Sequence, residues 1–257
     1  MTSCLSLISK AVKNFLNTWR EKTSKPTSAQ ACKLSSSHKM ATILIYWLNR
    51  KKKYMLIKDA NKIIISLSKP EKMPGYAYGL PAPECKTGAK LRLIPDSVCF
   101  NCYAFKGNYA RFPVILQVQY KRLESLQDPL WVEAMATVIN SERVSKLGVF
   151  RWHDAGDVQN PEHLKKIFEV CELTPTVQHW MPTREAWVKD HLKNCPKNLI
   201  VRLSMTMIDQ PAAGTWANTS TVVTKDATCP APTQGGKCGS CRNCWNPEIK
   251  NIAYGQH

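Results

Sequence analysis

Gly148-Val-Phe-Arg-Trp-His153-Asp-Ala-Gly-Asp157 is the stretch that decides the fold, because a strand-like apolar run passes directly into a polar turn. Asn160-Pro161 then begins a helical pattern, since Asn is a preferred N-cap and Pro suits the first turn. Further strand-like runs occur at 176–181, 199–204 and 220–224. Strands that alternate with helices form parallel sheets with right-handed crossovers. We therefore expect an α/β fold, specifically a partial parallel α/β barrel, because 257 residues are short for eight full units.

Polar side chains follow the first two of these strands. Asp154 and Asp157 come after the first strand, and Arg184 and Glu185 come after the second. A parallel barrel carries its chemistry at the carboxyl ends of its strands, where such residues converge. Each residue taken singly also fits a turn cap or a helix start, but their recurrence at successive strand ends favours a site. We therefore take these four as candidate catalytic residues that bind a cosubstrate or substrate.

Four cysteines lie close together near the C-terminus, in a predicted knuckle over residues 225–250. They are Cys229, Cys238, Cys241 and Cys244. Thiolates bind zinc or hold iron–sulfur clusters. Because three of these cysteines are spaced two residues apart, and the fourth precedes a proline, the pattern is closer to bacterial ferredoxins than to paired zinc ligands. We predict a metal centre here, a [4Fe–4S] cluster in preference to zinc, with a purely structural metal site as the alternative.

A second group of cysteines, Cys85, Cys99 and Cys102, lies in a long segment rich in Pro and Gly. The β-branched run Lys62–Leu67 before it predicts a strand. Long loops without secondary structure inside a domain are usually functional. Three cysteines leave one iron of a four-iron cluster without a protein ligand, and catalysis requires such an open position. We therefore expect these three cysteines to bind a cofactor, a [4Fe–4S] cluster, either as a second centre or as one centre shared with the four C-terminal cysteines.

The net charge of +17 is concentrated in a basic N-terminal extension, residues 1–60. Residues 1–58 carry 12 Lys and Arg against one acid, whereas residues 59–257 carry 24 against 18. We expect the extension to be partly disordered or helical. Its charge could attract nucleic acid or an anionic membrane, or it could simply be solvated. The remaining residues, 61–257, are expected to form the barrel-like domain.

The sequence also indicates the cellular compartment. No run approaches the roughly 18 apolar residues of a membrane-spanning helix. There is no clear secretory cleavage site, and the closely spaced cysteines do not resemble a disulfide framework. We therefore expect a reducing, cytoplasmic location and no transmembrane segment.

Several separate motifs resemble the phage-encoded gene product 88 family. They are the segments around Cys85 and Cys99, Phe150–Asp157, His179–Glu185 and the C-terminal cysteine segment. The resemblance covers residues 66–248. It implies a bacteriophage or prophage origin, and hence the cytoplasm of the host cell, but it brings no established reaction with it.

A weaker resemblance is to the radical S-adenosylmethionine enzymes, which have a partial α/β barrel and a [4Fe–4S] cluster on three cysteines. It implies that Cys85, Cys99 and Cys102 hold the cluster and that S-adenosylmethionine is the cosubstrate. The spacing differs from the common family pattern, since thirteen residues separate Cys85 from Cys99. Phe100 also lies one position earlier than the aromatic residue of that pattern. Ala155-Gly156-Asp157 corresponds only loosely to the family's cosubstrate motif.

Two functional hypotheses follow from these features. The first is an iron–sulfur, radical S-adenosylmethionine-like enzyme that acts on an unknown small-molecule or macromolecular substrate. The second is a zinc-stabilised phage nucleic-acid-binding protein without redox activity, suggested by Lys51–Lys53 and the cysteine knuckle. The mildly basic body and its lack of interleaved basic and aromatic residues weigh against the second hypothesis.

Overall fold

A computed structural model describes residues 55–256 of the protein. The predicted basic extension therefore lies outside the described residues as far as residue 54. From residue 55 onward the chain forms an α/β structure built on one six-stranded sheet. Its strands are β1 Tyr76–Tyr78, β2 Val149–Trp152, β3 Gln178–Thr183, β4 Leu199–Ile208, β5 Thr219–Val223 and β6 Asn251–Gly255.

The six strands are all parallel and pair in chain order. This arrangement confirms the predicted α/β class and the predicted parallel sheet. The sheet is open, because β1 and β6 form its two edges and do not pair with each other in the described part of the chain. Residues 55–256 therefore do not close into a complete barrel.

Strands β2 to β5 overlap the four predicted in the second half of the chain. The short edge strands β1 and β6 lack a strand pattern in the sequence, and the predicted strand Lys62–Leu67 is wrong. Residues 62–64 form the last turn of a helix, Ile57–Ile64, and Ile65 after it has a left-handed conformation with φ 57°. Residues 65–67 lie outside both helix and strand. Ala60 and Ile64 are four residues apart, and both are fully buried. The apolar residues here therefore pack through one face of a helix and not through a strand.

The described residues contain seven α-helices. They are α1 Ile57–Ile64, α2 Lys86–Leu91, α3 Gly107–Arg111, α4 Pro113–Ser125, α5 Trp131–Ile139, α6 Glu142–Ser145 and α7 Pro161–Glu172. Helix α7 begins as predicted, since the side-chain oxygen of Asn160 accepts the N–H of His163 at 2.8 Å. After β3 the chain forms a 3₁₀ helix, Ala186–Asn194, before it enters β4. In this part of the chain no helix has the length and apolar character needed to cross a bilayer.

The main core lies between the helices and one face of the sheet. Phe150 and Trp152 of β2 and Met181 of β3 belong to it, because alternate side chains of a strand lie on opposite faces. Trp131 of α5 is fully buried and packs edge-on against Tyr78 of β1. Each large apolar side chain buried in this way contributes roughly 1.5–3 kcal/mol. This layer therefore fixes β1, β2 and β3 against the helices.

The C-terminal cysteine segment, residues 224–250, connects β5 to β6 and packs on the opposite face of the sheet. Val149 of β2 and Trp180 of β3 contact Trp245 of this segment. Arg202 of β4 is fully buried beneath it. Its guanidinium donates hydrogen bonds of 2.7–3.1 Å to the carbonyl oxygens of Asn243, Cys244, Asn246 and Ile249. The segment is thus bound to the sheet through its own backbone.

Candidate metal centres

The three upstream cysteines line a single cavity of about 70 Å³. The cavity lies at the carboxyl ends of β2 and β3, because Asp157, which follows β2, and Arg184, which follows β3, also line it. We call it the three-cysteine cavity. Its principal lining residues are Cys85, Gly88, Arg92, Cys99, Cys102, Tyr103, Asp157 and Arg184. The structure therefore places the three cysteines beside two of the four candidate catalytic residues.

The loop that carries Cys99 is attached to the carboxyl end of β4. Ser97 forms an isolated antiparallel bridge with Met207. The N–H of Val98 donates to the carbonyl of Thr206 at 2.9 Å. These bonds bring the loop back across the sheet edge, so that Cys99 faces the strand ends although it lies far from them in sequence.

Gly88 leaves space beside two of the thiols. A Cβ atom at this position would lie 2.9 Å from the Cβ of Cys85, closer than real Cβ atoms pack. The same point lies 3.6 Å from the sulfur of Cys99 and 3.7 Å from the sulfur of Cys85. The missing side chain therefore forms part of the cavity, and both sulfurs face it.

Asp157 joins the ends of β2 and β3. Its carboxylate accepts the backbone N–H of Val158 at 2.7 Å and that of Arg184 at 2.8 Å. Burial nevertheless raises the pKa of Asp157 to about 6. Gly156 before it has φ 78°, and a Cβ there would lie 2.6 Å from the carbonyl oxygen of Leu80. Only glycine fits this turn, which carries Asp157 into the cavity.

Two guanidinium groups face the three-cysteine cavity without a carboxylate partner in residues 55–256. Arg92 stacks over the ring of Phe105 at 3.6 Å. The Nε of Arg184 is buried and has no hydrogen-bond acceptor among the described residues. Burial raises the pKa of Cys85 and of Cys99, and the charge of Arg184 acts in the opposite direction on both thiols. The arginines therefore favour thiolates or another anion in this cavity.

The remaining two candidate catalytic residues do not line the cavity. The Glu185 carboxylate accepts the backbone N–H of Thr87 at 2.9 Å and the indole N–H of Trp187 at 3.1 Å. Asp154 is buried beside Tyr109, whose hydroxyl lies 3.5 Å from its carboxylate. The structure thus brings Asp157 and Arg184 to the thiols and gives Glu185 the geometry of a structural link.

The four C-terminal cysteines line a second, smaller cavity of about 20 Å³, which we call the four-cysteine cavity. The backbone N–H of Cys229 donates to the carbonyl of Ala253 at 3.0 Å, and that of Cys238 to the carbonyl of Lys72 at 2.9 Å. The sulfur of Cys244 lies 3.3 Å from the hydroxyl of Tyr254. Burial raises the pKa of the Cys244 thiol to about 11. The two cysteine groups therefore belong to separate cavities. The lining cysteines are Cys229, Cys238, Cys241 and Cys244.

A family profile described as gene product 88 matches residues 47–247, which is more than half of the chain. The chain belongs to the gene product 88 family. The resemblance inferred from the separate motifs is therefore confirmed. No curated protein and no solved structure matches the chain at a significant level.

In this gene product 88 protein, the cysteines of each group line a shared cavity. Over residues 55–256, no set of three or more His, Cys, Asp and Glu side chains has the grouping expected of a single-metal site. Cysteines nevertheless supply three of the residues that line the first cavity and four of those that line the second.

Sequence reasoning misses several residues of the gene product 88 site. Gly88 and Arg92 occur in a segment with many Pro, Gly and basic residues, where neither stands out. Arg202 lies inside a strand pattern, and only the tertiary structure reveals its bonds to the cysteine segment. Tyr103 carries a detectable signal, since it directly follows Cys102.

Proposed function

We propose that this gene product 88 protein is an iron–sulfur enzyme of the radical S-adenosylmethionine-like type, acting on a substrate not yet identified. One observation carries the proposal: three cysteines share a cavity with Asp157 and Arg184 at the carboxyl edge of a parallel sheet. Enzymes built on parallel α/β sheets use this edge for their chemistry. The open, chain-ordered sheet also supports a partial barrel as the scaffold.

The donor set of the three-cysteine cavity supports a cluster better than a single zinc ion. Zinc would need its sulfur ligands about 2.3 Å from the metal, and hence almost touching one another. A four-iron cluster is a cube several ångströms across and accepts more widely spaced thiolates. Gly88 lines the cavity, and its lack of a side chain permits the close approach of Cys85. Cys85, Cys99 and Cys102 are therefore the proposed ligands.

When bound, such a cluster supplies single electrons to a cosubstrate, here S-adenosylmethionine. The residues of this chain bind and orient that molecule. Arg92 and Arg184 offer guanidinium groups to a carboxylate, because neither has an acidic partner among the described residues. Asp157 offers an acceptor for an ammonium group at the same wall. Asp154 and Glu185 act behind this wall, through Tyr109 and Thr87.

We assign a second metal centre to the four-cysteine cavity, a [4Fe–4S] cluster or a zinc ion. Four thiolates complete the ligand sets of both, so this centre is closed and serves structure or electron transfer. The cavity lies on the sheet face opposite the main core. There the Arg202 guanidinium donates hydrogen bonds to backbone carbonyl groups of the C-terminal cysteine segment. A closed centre there would complete the covering of that face.

Anaerobic purification of the full chain, followed by measurement of iron, sulfide and zinc, tests the proposal. We expect a brown protein with iron and sulfide, which after reduction cleaves S-adenosylmethionine to 5′-deoxyadenosine and methionine. Cys99→Ala should lose the cleavage activity and part of the iron, but retain the centre at the four C-terminal cysteines. Cleavage no faster than in the Cys99→Ala control would refute the enzymatic proposal.

A colourless protein that contains zinc alone would support the alternative, a zinc-stabilised nucleic-acid-binding protein. The observation in its favour is the net charge of +11 in residues 1–58, from 12 Lys and Arg against one acid. Phosphate contacts made by such a segment would weaken steeply with salt. The same purified protein therefore separates the two functions by its metal content.

A further inference from the structure

Arg151 of β2 presents an unpaired positive charge on the sheet face that the C-terminal segment covers. Its Nε is buried and has no acceptor among the described residues. Its other nitrogens approach only weak partners, the sulfur of Met73 at 3.3 Å and the hydroxyl of Tyr103 at 3.5 Å. The guanidinium stacks over the ring of Trp180 at 4.6 Å.

No carboxylate of residues 55–256 forms an ion pair with this guanidinium. The salt bridges of the described residues are Lys62–Asp59 and Lys166–Glu162, both at the surface. Asp154 lies within electrostatic reach of Arg151 but beyond ion-pair distance. Arg151 is partly buried as a whole, and its Nε is buried without an acceptor. A charge that loses part of its contact with water is stabilised by an opposite charge nearby. An anion beside Arg151 would therefore stabilise its guanidinium group.

The four-cysteine cavity lies on the same side of the sheet. Trp180, on which Arg151 stacks, packs edge-on against Trp245 with ring centroids 5.3 Å apart. Trp245 directly follows Cys244 in the chain. Met73, whose sulfur Arg151 approaches at 3.3 Å, packs in the same apolar cluster as Cys244 and Trp245. Arg202 donates a hydrogen bond to the carbonyl oxygen of Cys244 at 3.1 Å, from beneath the segment.

We propose that Arg151 is the counter-charge of an anionic metal–thiolate centre held by the four C-terminal cysteines. Four thiolates around one divalent cation leave a net charge of about −2, and the partly buried guanidinium compensates part of it. Arg151 is thus a positioning residue that tunes how tightly the centre binds metal. The inference rests on the proposed four-cysteine centre, but it requires neither iron nor S-adenosylmethionine.

Cobalt(II) binding to the full-length chain tests the proposal, because a tetrahedral thiolate site gives cobalt intense visible absorption. Cys99→Ser and Cys102→Ser are introduced throughout to confine the ion to the four-cysteine cavity. In this background Arg151→Met should weaken cobalt binding by about tenfold or more, equivalent to loss of one close charge interaction. Arg151→Lys keeps the charge and should remain within about threefold of the parent protein.

Arg143→Met is the matched control. Arg143 also stacks on an aromatic ring and donates to a tyrosine hydroxyl, in this case Tyr76 at 2.6 Å, but it is exposed and contacts no cysteine. Its replacement should leave cobalt affinity unchanged. Arg151→Gln retains hydrogen-bond donors and serves if the methionine variant does not fold.

The outcomes separate the two proposals. Unchanged cobalt affinity in a folded Arg151→Met or Arg151→Gln variant would overturn the role of Arg151 alone. Equal losses in Arg151→Lys and Arg151→Met would also overturn it, because the loss would then follow from shape and not from charge. Absence of tetrahedral cobalt absorption in the parent protein would instead overturn the four-cysteine centre itself.

Discussion

Gly88 shows how one absent side chain defines the three-cysteine cavity. It lies in the short helix α2, where glycine costs roughly 1 kcal/mol relative to alanine. A glycine at this position leaves room for the side chain of Cys85 and lies close to the sulfurs of Cys85 and Cys99. Local helix stability and cofactor binding therefore favour different residues at this position.

Gly88→Ala tests the importance of this close approach. We expect the unloaded protein to unfold at a lower urea concentration, because the new Cβ would lie 2.9 Å from the Cβ of Cys85. Overpacking of this kind costs about 1–3 kcal/mol, which exceeds the gain of up to about 1 kcal/mol from alanine in the helix. We expect anaerobic reconstitution to load less than about half as much iron into the three-cysteine cavity, because the new methyl group lies against Cys85. Iron analysis of the reconstituted protein measures the second effect.

Gly214→Ala is the control for this experiment. A Cβ at Gly214 would meet no atom within 4 Å. Iron loading should equal that of the parent protein. If Gly88→Ala loads iron as fully as Gly214→Ala does, the gap at Gly88 has no role in cofactor binding.

At the level of residues, the sequence predicts the cysteine grouping but not the arginines around it. Cysteines are rare and clustered, so Cys99 and Cys102 stand out by spacing alone. In the sequence, Arg92 and Arg151 resemble any other basic residue. Only the folded structure shows that neither forms an ion pair with an acidic side chain of the described residues. The charge balance of a buried site is a tertiary property, which explains why only the structure reveals it.

At the level of elements, each cysteine group lies in a connection between neighbouring parallel strands. The three upstream cysteines lie between β1 and β2, and the four C-terminal cysteines between β5 and β6. Parallel strands need a long connection, usually a helix. In the last connection the cysteine segment takes the place of that helix, and its packing on Trp180 supplies the burial that a helix face would have provided.

The rhythm of strands and helices is predictable only where the connections are regular. Helix α7 joins β2 to β3 with an N-cap and an apolar face, so both strands are evident in the sequence. β1 has only three residues and follows a run of turn residues. β6 begins next to the cysteine segment and has only five. β1 and β6 are strands because each pairs with a neighbour that is distant in sequence. Such pairing leaves no local pattern in the sequence.

Glu185 links helix α2 to the end of β3 through Thr87 and Trp187. Glu185→Ala should lower the free energy of unfolding by about 1–3 kcal/mol, because it leaves two donors in a partly buried site unpaired. Glu162→Ala is the control, since its salt bridge to Lys166 is exposed and worth less than about 1 kcal/mol. Urea unfolding of both variants gives the comparison. Equal destabilisation would show that Glu185 is not a structural link.

At the level of the whole molecule, the core contains histidines that are buried in the neutral form. Burial lowers the pKa of His163 and of His179 to about 3. Thr174 donates to the carbonyl of Val170 at 2.7 Å, so its oxygen accepts the Nε2 proton of His179 at 2.8 Å. Protonation of either ring would place a positive charge in the apolar core. Because that charge is better solvated in the unfolded chain, protonation favours unfolding.

The protein should therefore lose stability as the pH falls below about 6.5, the pKa of unfolded histidine. The folded pKa is the lower one, so the loss from each histidine continues down to about pH 3. At pH 5.5 one such histidine accounts for about 1.4 kcal/mol. His179→Gln should reduce the difference in unfolding free energy between pH 7.5 and pH 5.5 by this amount.

The comparison between variant and parent isolates His179 from groups with the opposite sign. Asp157, whose pKa is raised, binds protons more readily in the folded state and gains stability as the pH falls through about 6. That contribution is present in both proteins and cancels. An unchanged pH dependence in His179→Gln would mean that His179 is not buried in the neutral form.

The contact between Trp180 and Trp245 gives the molecule a built-in optical reporter. The two indoles lie 5.3 Å apart, and Trp245 directly follows a lining residue of the four-cysteine cavity. An iron–sulfur cluster or cobalt ion absorbs in the near ultraviolet and visible range, so it would quench the emission of Trp245, which lines the cavity. Zinc absorbs no visible light and would leave that emission intact. The intrinsic fluorescence of the unlabelled protein would therefore tell zinc in the four-cysteine cavity from cobalt or an iron–sulfur cluster.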